Sequence, residues 1–293
     1  MRLERLAPAK VNLFLHVGRL QADGYHPLCS LVSFADVGDI VRLRSAPAMS
    51  FDIEGPFAAG LSADADNLVV RARDLLLASY PAPAPTFRLT LDKRLPIAAG
   101  VGGGSSDAAA ALRLIHAALG QGEDLPKLFR LAGELGADGP MCVEARPVLA
   151  RGRGDELARP PAFPDLDAVL VNPLRPSPTG AVYRAYDEAG APGHADAPAW
   201  PAHLETPRDV ADLLTRCRND LEAPAIGLQP AIGEVLAALR ARPQTLLARM
   251  SGSGATCFAL CADPPARDAL AAAISAAHPE WWVMPCRLAG ARP

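Results

Sequence analysis

Lysine is scarce in this sequence, and the basic residues do not cluster. Only Lys10, Lys93 and Lys127 are lysines, and the 29 lysines and arginines are outnumbered by 32 acidic residues, which gives a net charge of -3 at pH 7. Proteins that bind nucleic acids or other polyanions concentrate positive charge on one face. The sequence therefore predicts no nucleic-acid partner.

Closely spaced cysteines are also missing. None of the six cysteines forms a Cys-x-x-Cys pair, and no histidine pair at metal-ligand spacing stands near them. Zinc sites and disulfide frameworks depend on such spacings, so neither is expected. We predict that each cysteine is a small buried apolar residue in a cytoplasmic protein, where thiols stay reduced. The six are Cys29, Cys142, Cys217, Cys257, Cys261 and Cys286.

Long apolar runs are absent as well. No stretch of about 18 uncharged apolar residues occurs, so the sequence predicts no membrane span and no membrane partner. The amino-terminal segment begins with charged residues, and its apolar run from Val11 to Val17 is interrupted by Asn12 and His16. A secretory signal peptide is therefore not expected.

What is present is the composition of a globular protein with a sizeable core. Half of the residues are hydrophobic and 21% are charged, which argues against disorder. A length of 293 residues predicts about two domains. Because the region 155–165 is rich in proline, we place the boundary there and predict domains at 1–160 and 161–293.

Hydrophobic periodicity predicts a mixture of strands and helices without strict alternation, which indicates an α+β fold. The predicted strands are 10–17, 28–35, 37–43, 87–91, 168–171, 246–250, 256–260 and 282–288. The predicted helices are 67–79, 105–119, 124–135, 208–216, 229–241 and 265–277. The segment 189–207, rich in proline, glycine, alanine and histidine, predicts a mobile loop, and 81–85 predicts a surface connector.

The strand predicted at 10–17 carries two polar residues that chemistry could use. Its odd-numbered residues are apolar and would be buried on one face, so Lys10 and Asn12 share the opposite face with Phe14 and His16. Lys10 is then either a solvated residue of an edge strand or a cation directed, with the Asn12 amide, into a cleft. The strand alone leaves both interpretations open.

The strongest motif is a glycine-rich loop that leads into a predicted helix. Four of the five residues from Gly100 to Gly104 have no side chain, so backbone N–H groups can approach an anion closely. The helix amino terminus that follows favours phosphate. Ser105 and Ser106 could cap the helix, bind phosphate oxygens or coordinate magnesium. The alternative is a flexible loop that only caps a helix.

The loop is not one of the common nucleotide motifs. A Walker A loop needs a lysine before the Ser105 position, and none is there. The dinucleotide-binding fingerprint fits only loosely, with Gly100 and Gly102, and the signatures of protein kinases are missing. The sequence therefore predicts another type of phosphate-binding loop.

Three further segments are ambiguous when taken singly. Asp138 lies in a glycine-proline turn and is either a turn residue or a carboxylate that accepts a proton from a substrate hydroxyl. Tyr25 and His26 form a polar turn or contact a planar base. The segment Ser251–Ala255 is a hairpin turn or a second ligand-binding loop.

Together these segments resemble the GHMP kinase superfamily of small-molecule kinases. Residues 96–106 are similar to its Pro-x-x-x-Gly-Leu-Gly-Gly-Gly-Ser-Ser loop, with Val101 in place of leucine. The Gly-Gly-Gly-Ser-Ser-Asp form resembles the branch that acts on cytidylylated methylerythritol in the non-mevalonate route to isopentenyl diphosphate. Further similar segments are 7–17, 22–26, 67–69, 135–138, 152–155, 219–222 and 250–254.

The resemblance implies a two-domain GHMP kinase fold with ATP and substrate in the cleft between domains. Asp138 would be the general base, and Lys10 would orient it and steady the transferred phosphoryl group. Mg²⁺ would meet Ser106 or, less readily, Ser105. A surface position is expected for His116, where the family commonly has asparagine. The implied ATP-binding residues are Asn67, Pro96, Gly100, Val101, Gly102, Gly103, Gly104, Ser105 and Ser106.

The resemblance also implies how the substrate is held. Asn12 would fix it near the reacting groups, His26 would bond the cytosine, and Tyr25 and Tyr183 would stack on it. The enzyme would be a monomer or homodimer. The alternatives are a GHMP kinase for mevalonate, phosphomevalonate or homoserine, a nucleotide-binding protein without kinase activity, and a dinucleotide-dependent oxidoreductase.

Overall fold

The structure is a computed structural model that describes residues 2–80, 85–120, 122, 124–190, 193–201 and 203–292. Contacts divide the chain into two compact units. Unit 1 consists of Met1–Lys10, Val37–Ile97 and Gly102–Ala145, and unit 2 of Val11–Asp36, Ala98–Val101 and Arg146–Pro293. Each unit is built from three separate segments of the chain. The predicted domains 1–160 and 161–293 are continuous segments, and this two-domain division stays a prediction.

Strands and helices are mixed along the described chain, which confirms the α+β class. The strands are β1 Arg2–Val17, β2 Leu28–Ser45, β3 Ser50–Glu54, β4 Phe87–Asp92, β5 Val148–Gly152, β6 Glu156–Ala158, β7 Leu166–Asn172, β8 Leu247–Met250, β9 Cys257–Cys261 and β10 Trp282–Leu288. The helices are α1 Leu68–Ala78, α2 Gly103–Ala118, α3 Leu125–Leu135, α4 Gly139–Glu144, α5 Thr179–Glu188, α6 Pro207–Thr215, α7 Glu222–Leu228, α8 Ala231–Arg240 and α9 Pro264–Ala277.

Unit 1 packs helices α1 to α4 together beside a small sheet. The second half of β2 pairs antiparallel with β4, and β4 pairs parallel with β3. The alternation of apolar residues in β4 places them in the core, as the sequence predicts: Leu89 and Leu91 are buried and pair with Leu43 and Val41 of β2. Helix α2 contacts α1, α3 and α4, and its buried alanines allow this close packing.

Unit 2 is built around an antiparallel sheet in the order β10, β7, β9 and β8. The first half of β2 pairs with β5, and β5 pairs antiparallel with β6. Ala35 of β2 lies opposite Leu288 of β10. Helices α5, α7, α8 and α9 contribute to a core that includes Val169, Val171 and Cys257. The unit therefore has a hydrophobic core of its own.

Most predicted elements are confirmed, and three boundaries are wrong. The strand predicted at 10–17 begins at Arg2 instead of Lys10. The strands predicted at 28–35 and 37–43 form one strand, β2, which has no turn at Gly38. A Cβ on Gly38 would come within 2.0 Å of the Ala7 carbonyl oxygen, so this glycine allows close passage rather than a turn. Helix α2 begins at Gly103 instead of Ser105, because Gly102 takes a left-handed conformation that starts the helix earlier. Ser105 and Ser106 thus lie inside its first turns.

The predicted single buried face of the first strand is wrong. Phe14 is 0% exposed and His16 is 4% exposed, so the even-numbered face is buried as well. The His16 ring is satisfied by the backbone, with Nδ1 2.6 Å from the Asp196 carbonyl oxygen and Nε2 accepting the Arg218 N–H over 3.3 Å. These partners let a polar residue occupy a buried position at low cost.

Several smaller predictions concern the cysteines, the helices and the loops. All six cysteines are buried, as expected, and the structure contains each of them as a free thiol. None of the helices in the described ranges combines the length and apolar character needed to span a bilayer. Residues 193–201 and 203–206 lack helix and strand, which agrees with the predicted loop, and residues 191, 192 and 202 lie outside the described residues. Its mobility stays a prediction, and the connector at 81–85 lies outside them except for Pro85.

Candidate active site

Lys10 and Asp138 form a direct ion pair in unit 1. The Lys10 Nζ atom donates a hydrogen bond to Asp138 Oδ2 over 2.7 Å. Lys10 lies on the long strand β1 and is buried, whereas the Asp138 side chain is 39% exposed. The ammonium group is therefore fixed inside the protein, and the carboxylate that it holds stays accessible.

The local sequence explains why Asp138 is held in place. Asp138 is the residue before helix α4, and Pro140 occupies the first turn of that helix, a position that suits its fixed φ. A Cβ on Gly139 would come within 2.1 Å of the Ala132 carbonyl oxygen in α3. Only glycine fits there, so the tight contact between the two helices fixes the residue that follows Asp138.

The glycine-rich loop packs against the same lysine. Gly102 has a φ of +63°, and a Cβ there would lie 3.0 Å from Lys10 Cβ and 3.2 Å from its Cε. The Ser106 N–H donates to the Gly102 carbonyl oxygen over 3.0 Å, which closes the first turn of α2. The aliphatic stem of Lys10 and the start of the helix are therefore positioned by one glycine.

Ser105 and Ser106 have different surroundings. Ser106 is 1% exposed, and its hydroxyl donates only a long, weak contact to Cys142 Sγ at 3.5 Å. Burial raises the pKa of the Cys142 thiol to about 12, with Asp138 as a second cause, so this sulfur stays protonated. Ser105 lines a small open pocket with Leu68 and Gly136.

A buried ion-pair network behind the loop was missed by sequence reasoning. Lys93 Nζ donates to Asp39 Oδ2 over 2.5 Å and to Asp107 Oδ2 over 2.9 Å. Asp39 Oδ1 accepts the backbone N–H groups of Arg94 and Leu95 over 2.6 and 2.8 Å. The network thus joins β2, the segment before the loop, and helix α2.

The protonation of this network follows from its burial. Burial raises the pKa of Asp107 to about 8 although Lys93 opposes the shift. Burial alone would lower the pKa of Lys93, but Asp107 and Asp39 outweigh it and raise that pKa. At neutral pH Asp107 therefore carries a proton for much of the time, and Lys93 stays charged. The scarcity of lysine is the sequence feature that could have directed attention to Lys93 and its network.

Asn12 and the loop between β8 and β9 meet in unit 2. The Asn12 N–H donates to Ser251 Oγ over 3.1 Å, and its Nδ2 donates to Ser30 Oγ over 2.8 Å. Ser251 Oγ in turn donates to the Gly100 carbonyl oxygen over 3.0 Å. Asn12 Oδ1 is buried and has no hydrogen-bond partner among the described residues, so it is available to a donor.

His26 lies in an aromatic cluster of unit 2. Its ring centroid is 5.1 Å from that of Tyr183 and 5.7 Å from that of Tyr186, which meets it edge-on. His26 Nδ1 is 2.9 Å from the Gly18 carbonyl oxygen, and Nε2 is 3.4 Å from Asp187 Oδ1. Tyr183 and Tyr186 both come from helix α5, which sequence reasoning did not predict.

Tyr25, by contrast, is an exposed residue whose ring is covered on one side. It is 54% exposed, and the guanidinium carbon of Arg153 lies 4.2 Å from its ring centroid. Its N–H donates to Asp23 Oδ1 over 3.0 Å. The structure therefore brings His26 and Tyr183 together and places Tyr25 against Arg153.

Asn67 and Val101, which were predicted to bind ATP, and His116 have well-defined surroundings within the protein. Asn67 caps helix α1 by accepting the Val69 N–H, and its Nδ2 donates to the Ser62 carbonyl oxygen. Val101 is 1% exposed. The expectation for His116 is wrong: it is buried between the Tyr80 hydroxyl and the Gly122 carbonyl oxygen. Within the described ranges, no group of three or more histidine, cysteine or acidic residues could hold a metal ion.

Known proteins resemble this chain along nearly its whole length. The family model described as "GHMP kinases N terminal domain" matches residues 67–145, and that described as "GHMP kinases C terminal" matches residues 202–280. A 4-diphosphocytidyl-2-C-methyl-D-erythritol kinase from Caulobacter sp. (strain K31) is 57% identical over 291 residues, which cover 99% of each chain. This chain belongs to the 4-diphosphocytidyl-2-C-methyl-D-erythritol kinase family of GHMP kinases. It is therefore a small-molecule kinase, and kinases of this family use ATP.

More distant members agree with this assignment to the GHMP kinases. The protein named 4-diphosphocytidyl-2-C-methyl-D-erythritol kinase in Paracoccus denitrificans is 47% identical over 289 residues, with coverage of 98% of this chain and 97% of the other. A crystal structure of a 4-(cytidine 5'-diphospho)-2C-methyl-D-erythritol kinase superposes with a TM-score of 0.77 at 34% identity, covering 98% of this chain and 100% of the other. The predicted GHMP kinase fold is confirmed.

Proposed function

We propose that this kinase transfers the γ-phosphoryl group of ATP to the 2-hydroxyl of 4-diphosphocytidyl-2-C-methyl-D-erythritol, in the non-mevalonate route to isopentenyl diphosphate. The observation that carries the proposal is the 2.7 Å contact between Lys10 Nζ and Asp138 Oδ2. It supplies a held, accessible carboxylate beside a fixed positive charge. Family membership supports the choice of substrate.

Asp138 acts as the general base of the proposed reaction. It accepts the proton of the substrate hydroxyl as that oxygen attacks the γ-phosphorus and the bond to the leaving ADP breaks. Lys10 holds one carboxylate oxygen, which orients the other toward the substrate, and its charge stabilises the negative charge of the transferred group. Positioning and electrostatics together account for the catalysis.

The glycine-rich loop binds the triphosphate in this proposal. The N–H groups of Gly103, Gly104 and Ser105 stand at the amino terminus of α2, where unpaired donors and the helix dipole attract anions. Gly102 leaves no side chain between this terminus and Lys10. Asn67, Pro96, Gly100 and Val101 complete the nucleotide-binding residues that the resemblance implies.

Mg²⁺ fits the donor set of this chain. Magnesium keeps several waters and is commonly bound through one or two protein oxygens together with substrate phosphates. The Ser106 hydroxyl has only a weak sulfur contact, so it is available as such an oxygen, and Ser105 is the second choice. When bound, the ion neutralises charge on the phosphates. Holding the triphosphate and removing the proton remain tasks of the loop and of Asp138.

The cytidylyl group is recognised by residues of unit 2 in this proposal. His26 hydrogen-bonds the cytosine, and Tyr183 and Tyr25 stack on it. The unpartnered Asn12 Oδ1 receives a substrate hydroxyl, which removes the cost of leaving a buried acceptor unpaired. Substrates without a nucleobase, such as mevalonate or homoserine, would give the aromatic residues nothing to stack on. The enzyme is cytoplasmic in this proposal, and it is a monomer or homodimer.

ADP release in the presence of ATP and Mg²⁺ tests this function. Separate reactions contain 4-diphosphocytidyl-2-C-methyl-D-erythritol, mevalonate, homoserine, or methylerythritol 4-phosphate without the cytidylyl group. We expect turnover with the first acceptor alone. Turnover with a different alcohol would replace the proposed substrate. ATP binding without turnover in any reaction would contradict the assignment of Asp138 as a base.

A further inference from the structure

Arg153 makes contacts that the proposed reaction does not explain. Its guanidinium carbon lies 4.2 Å from the centroid of the Tyr25 ring, within the range of a cation–π interaction. The same guanidinium donates from Nη2 to Asp23 Oδ2 over 2.6 Å. Asp23 accepts the Tyr25 N–H with its other oxygen over 3.0 Å. One carboxylate thus binds both the backbone of Tyr25 and the cation on its ring.

The two segments that carry these residues are fixed on the same ladder of strands. Tyr25 lies in the turn just before β2, and Arg153 lies in the turn between β5 and β6. Leu28 of β2 pairs with Gly152 of β5, so the ladder begins beside both turns. The Arg153 N–H donates to Asp155 Oδ1 over 2.9 Å, which orders the second turn. The contact between Arg153 and Tyr25 is therefore built on a regular scaffold.

The charge distribution fits this arrangement. The hydrogen bond from the Tyr25 N–H holds the pKa of Asp23 below its ordinary value, with Arg153 as a further cause, so the carboxylate stays ionised. An aromatic ring has two faces, and Arg153 occupies one of them. An exposed ring without such a partner samples several rotamers and loses that freedom when a ligand stacks on it.

We propose that Arg153 is a positioning residue for nucleobase recognition: its guanidinium covers one face of Tyr25, ties the ring to Asp23, and presents the opposite face to the cytosine of the substrate. The inference rests on the proposed function, because it needs Tyr25 to contact the base. Arg153 itself touches neither the reacting hydroxyl nor ATP. Its removal weakens binding of the cytidylyl group and leaves phosphoryl transfer unchanged.

Steady-state kinetics of Arg153→Ala test the proposal. We expect the KM for the cytidylylated substrate to rise roughly two- to five-fold, as the loss of an exposed cation–π contact implies. The kcat and the KM for ATP stay unchanged. Arg153→Lys, which keeps the charge but loses the planar group, gives a smaller rise. The matched control is Arg130→Ala, because Arg130 is also exposed and pairs with Glu134 without touching an aromatic ring.

Two further measurements separate this role from others. In a Tyr25→Leu background, Arg153→Ala should have no additional effect. The inhibition constant of free cytidine should rise by the same factor as the KM, because cytidine has the base but no diphosphate. A rise for the diphosphate substrate alone would show that Arg153 contacts the phosphates, and equal losses in both backgrounds would show independence from Tyr25. Either result overturns the inference, as does an unchanged KM.

These experiments distinguish failure of the role inferred for Arg153 from failure of the proposed function. If wild-type protein turns over the cytidylylated substrate and the Arg153 variants match it, only the role of Arg153 is wrong. If the wild type turns over no cytidylylated acceptor, the proposed function is wrong. Binding of cytidine measured by calorimetry then decides the inference: it is overturned unless Arg153→Ala weakens that binding. Thermal unfolding confirms that each variant is folded.

Discussion

Lys10 Nζ lies 2.7 Å from Asp138 Oδ2, and the two partners differ sharply in exposure. The Lys10 side chain is 8% exposed, whereas that of Asp138 is 39% exposed. A pair that served stability alone would gain little from one open partner, because exposed ion pairs contribute at most about 1 kcal/mol. The asymmetry fits a base that must meet a substrate while a buried cation fixes its orientation.

The first prediction concerns the base itself. Asp138→Asn keeps the shape of the side chain but cannot accept a proton, so we expect kcat to fall about 10²- to 10⁴-fold with little change in either KM. ADP release measures this directly. The control is Asp124→Asn, since Asp124 is an exposed cap of helix α3 in the same unit. A kcat for Asp138→Asn within about threefold of wild type would mean that another group takes the proton.

The second prediction uses the buried network of Lys93, Asp39 and Asp107. Burial raises the pKa of Asp107 to about 8, so its stabilising contribution is complete below the ordinary pKa of aspartate, near 4, and is lost as the pH rises toward 8. Asp107→Asn mimics the protonated form and removes this dependence. Between pH 5 and 8, the free energy of unfolding of the wild type should fall relative to the variant by up to about 1.4 kcal/mol per pH unit.

Urea unfolding at pH 5, 6, 7 and 8 checks that prediction. Asp124→Asn again serves as the reference, because an exposed capping residue should follow the wild-type pH profile apart from a constant offset. Parallel profiles for wild type and Asp107→Asn would show that Asp107 is ionised throughout this range.

The third prediction concerns the aromatic cluster around His26. Tyr183→Leu removes a stacking surface, and base stacking contributes about 1–3 kcal/mol, so we expect the KM for the cytidylylated substrate to rise on the order of tenfold. The KM for ATP should not change. Tyr186→Phe is the matched control, because it removes only the hydroxyl that donates to the Val17 carbonyl oxygen. Equal KM values for the two variants would rule out stacking by Tyr183.

The fourth prediction concerns acid stability. Burial is the main cause that lowers the pKa of His16, and the charge of Arg218 lowers it further, whereas the hydrogen bond to the Asp196 backbone and the charge of Asp220 oppose the shift. A lowered pKa means that folding favours the neutral ring, so stability should decline as the pH falls below the ordinary value near 6.5. His16→Leu should lose about 1–3 kcal/mol at pH 7.5, because it leaves the Asp196 carbonyl and the Arg218 N–H unpaired.

Thermal or urea unfolding at pH 5 and pH 7.5 measures the His16 effect. The wild type should be less stable at pH 5, and the gap between wild type and His16→Leu should narrow there. His278, a partly exposed residue near the carboxyl end, provides a control variant, His278→Leu. A gap that stays constant with pH would show that His16 keeps its charge state in this range.

The sequence was informative where one physical rule dominated. Periodic apolar residues placed α1, α3 and α9, because long amphipathic segments with polar caps admit few other conformations. The glycine-rich loop and its helix were also visible, since four glycines before two serines have few uses besides close approach to an anion. Lys10 and Asp138 were identified through the resemblance to GHMP kinases, and the structure places them together.

Other features depend on partners that are distant in the chain. His16 can be buried because the backbones of Asp196 and Arg218 hydrogen-bond its ring, and no local sequence pattern predicts these partners. The network of Lys93 joins residues from three elements. Helix α5 escaped notice because it follows prolines and its buried residues, such as Val182 and Tyr186, are few. In each case the tertiary environment, not the local sequence, decides the outcome.

The contact between Gly139 and Ala132 has a consequence for directed evolution. Because a Cβ at Gly139 would come within 2.1 Å of a backbone oxygen, random libraries across 138–139 should return almost only inactive clones. The turn that contains Gly24 is different, since a Cβ there would meet nothing within 4 Å and only the φ of +82° restricts the choice. Under the proposed contact of Tyr25 with cytosine, attempts to retarget this kinase to another nucleobase should therefore diversify that turn and keep the helix junction constant.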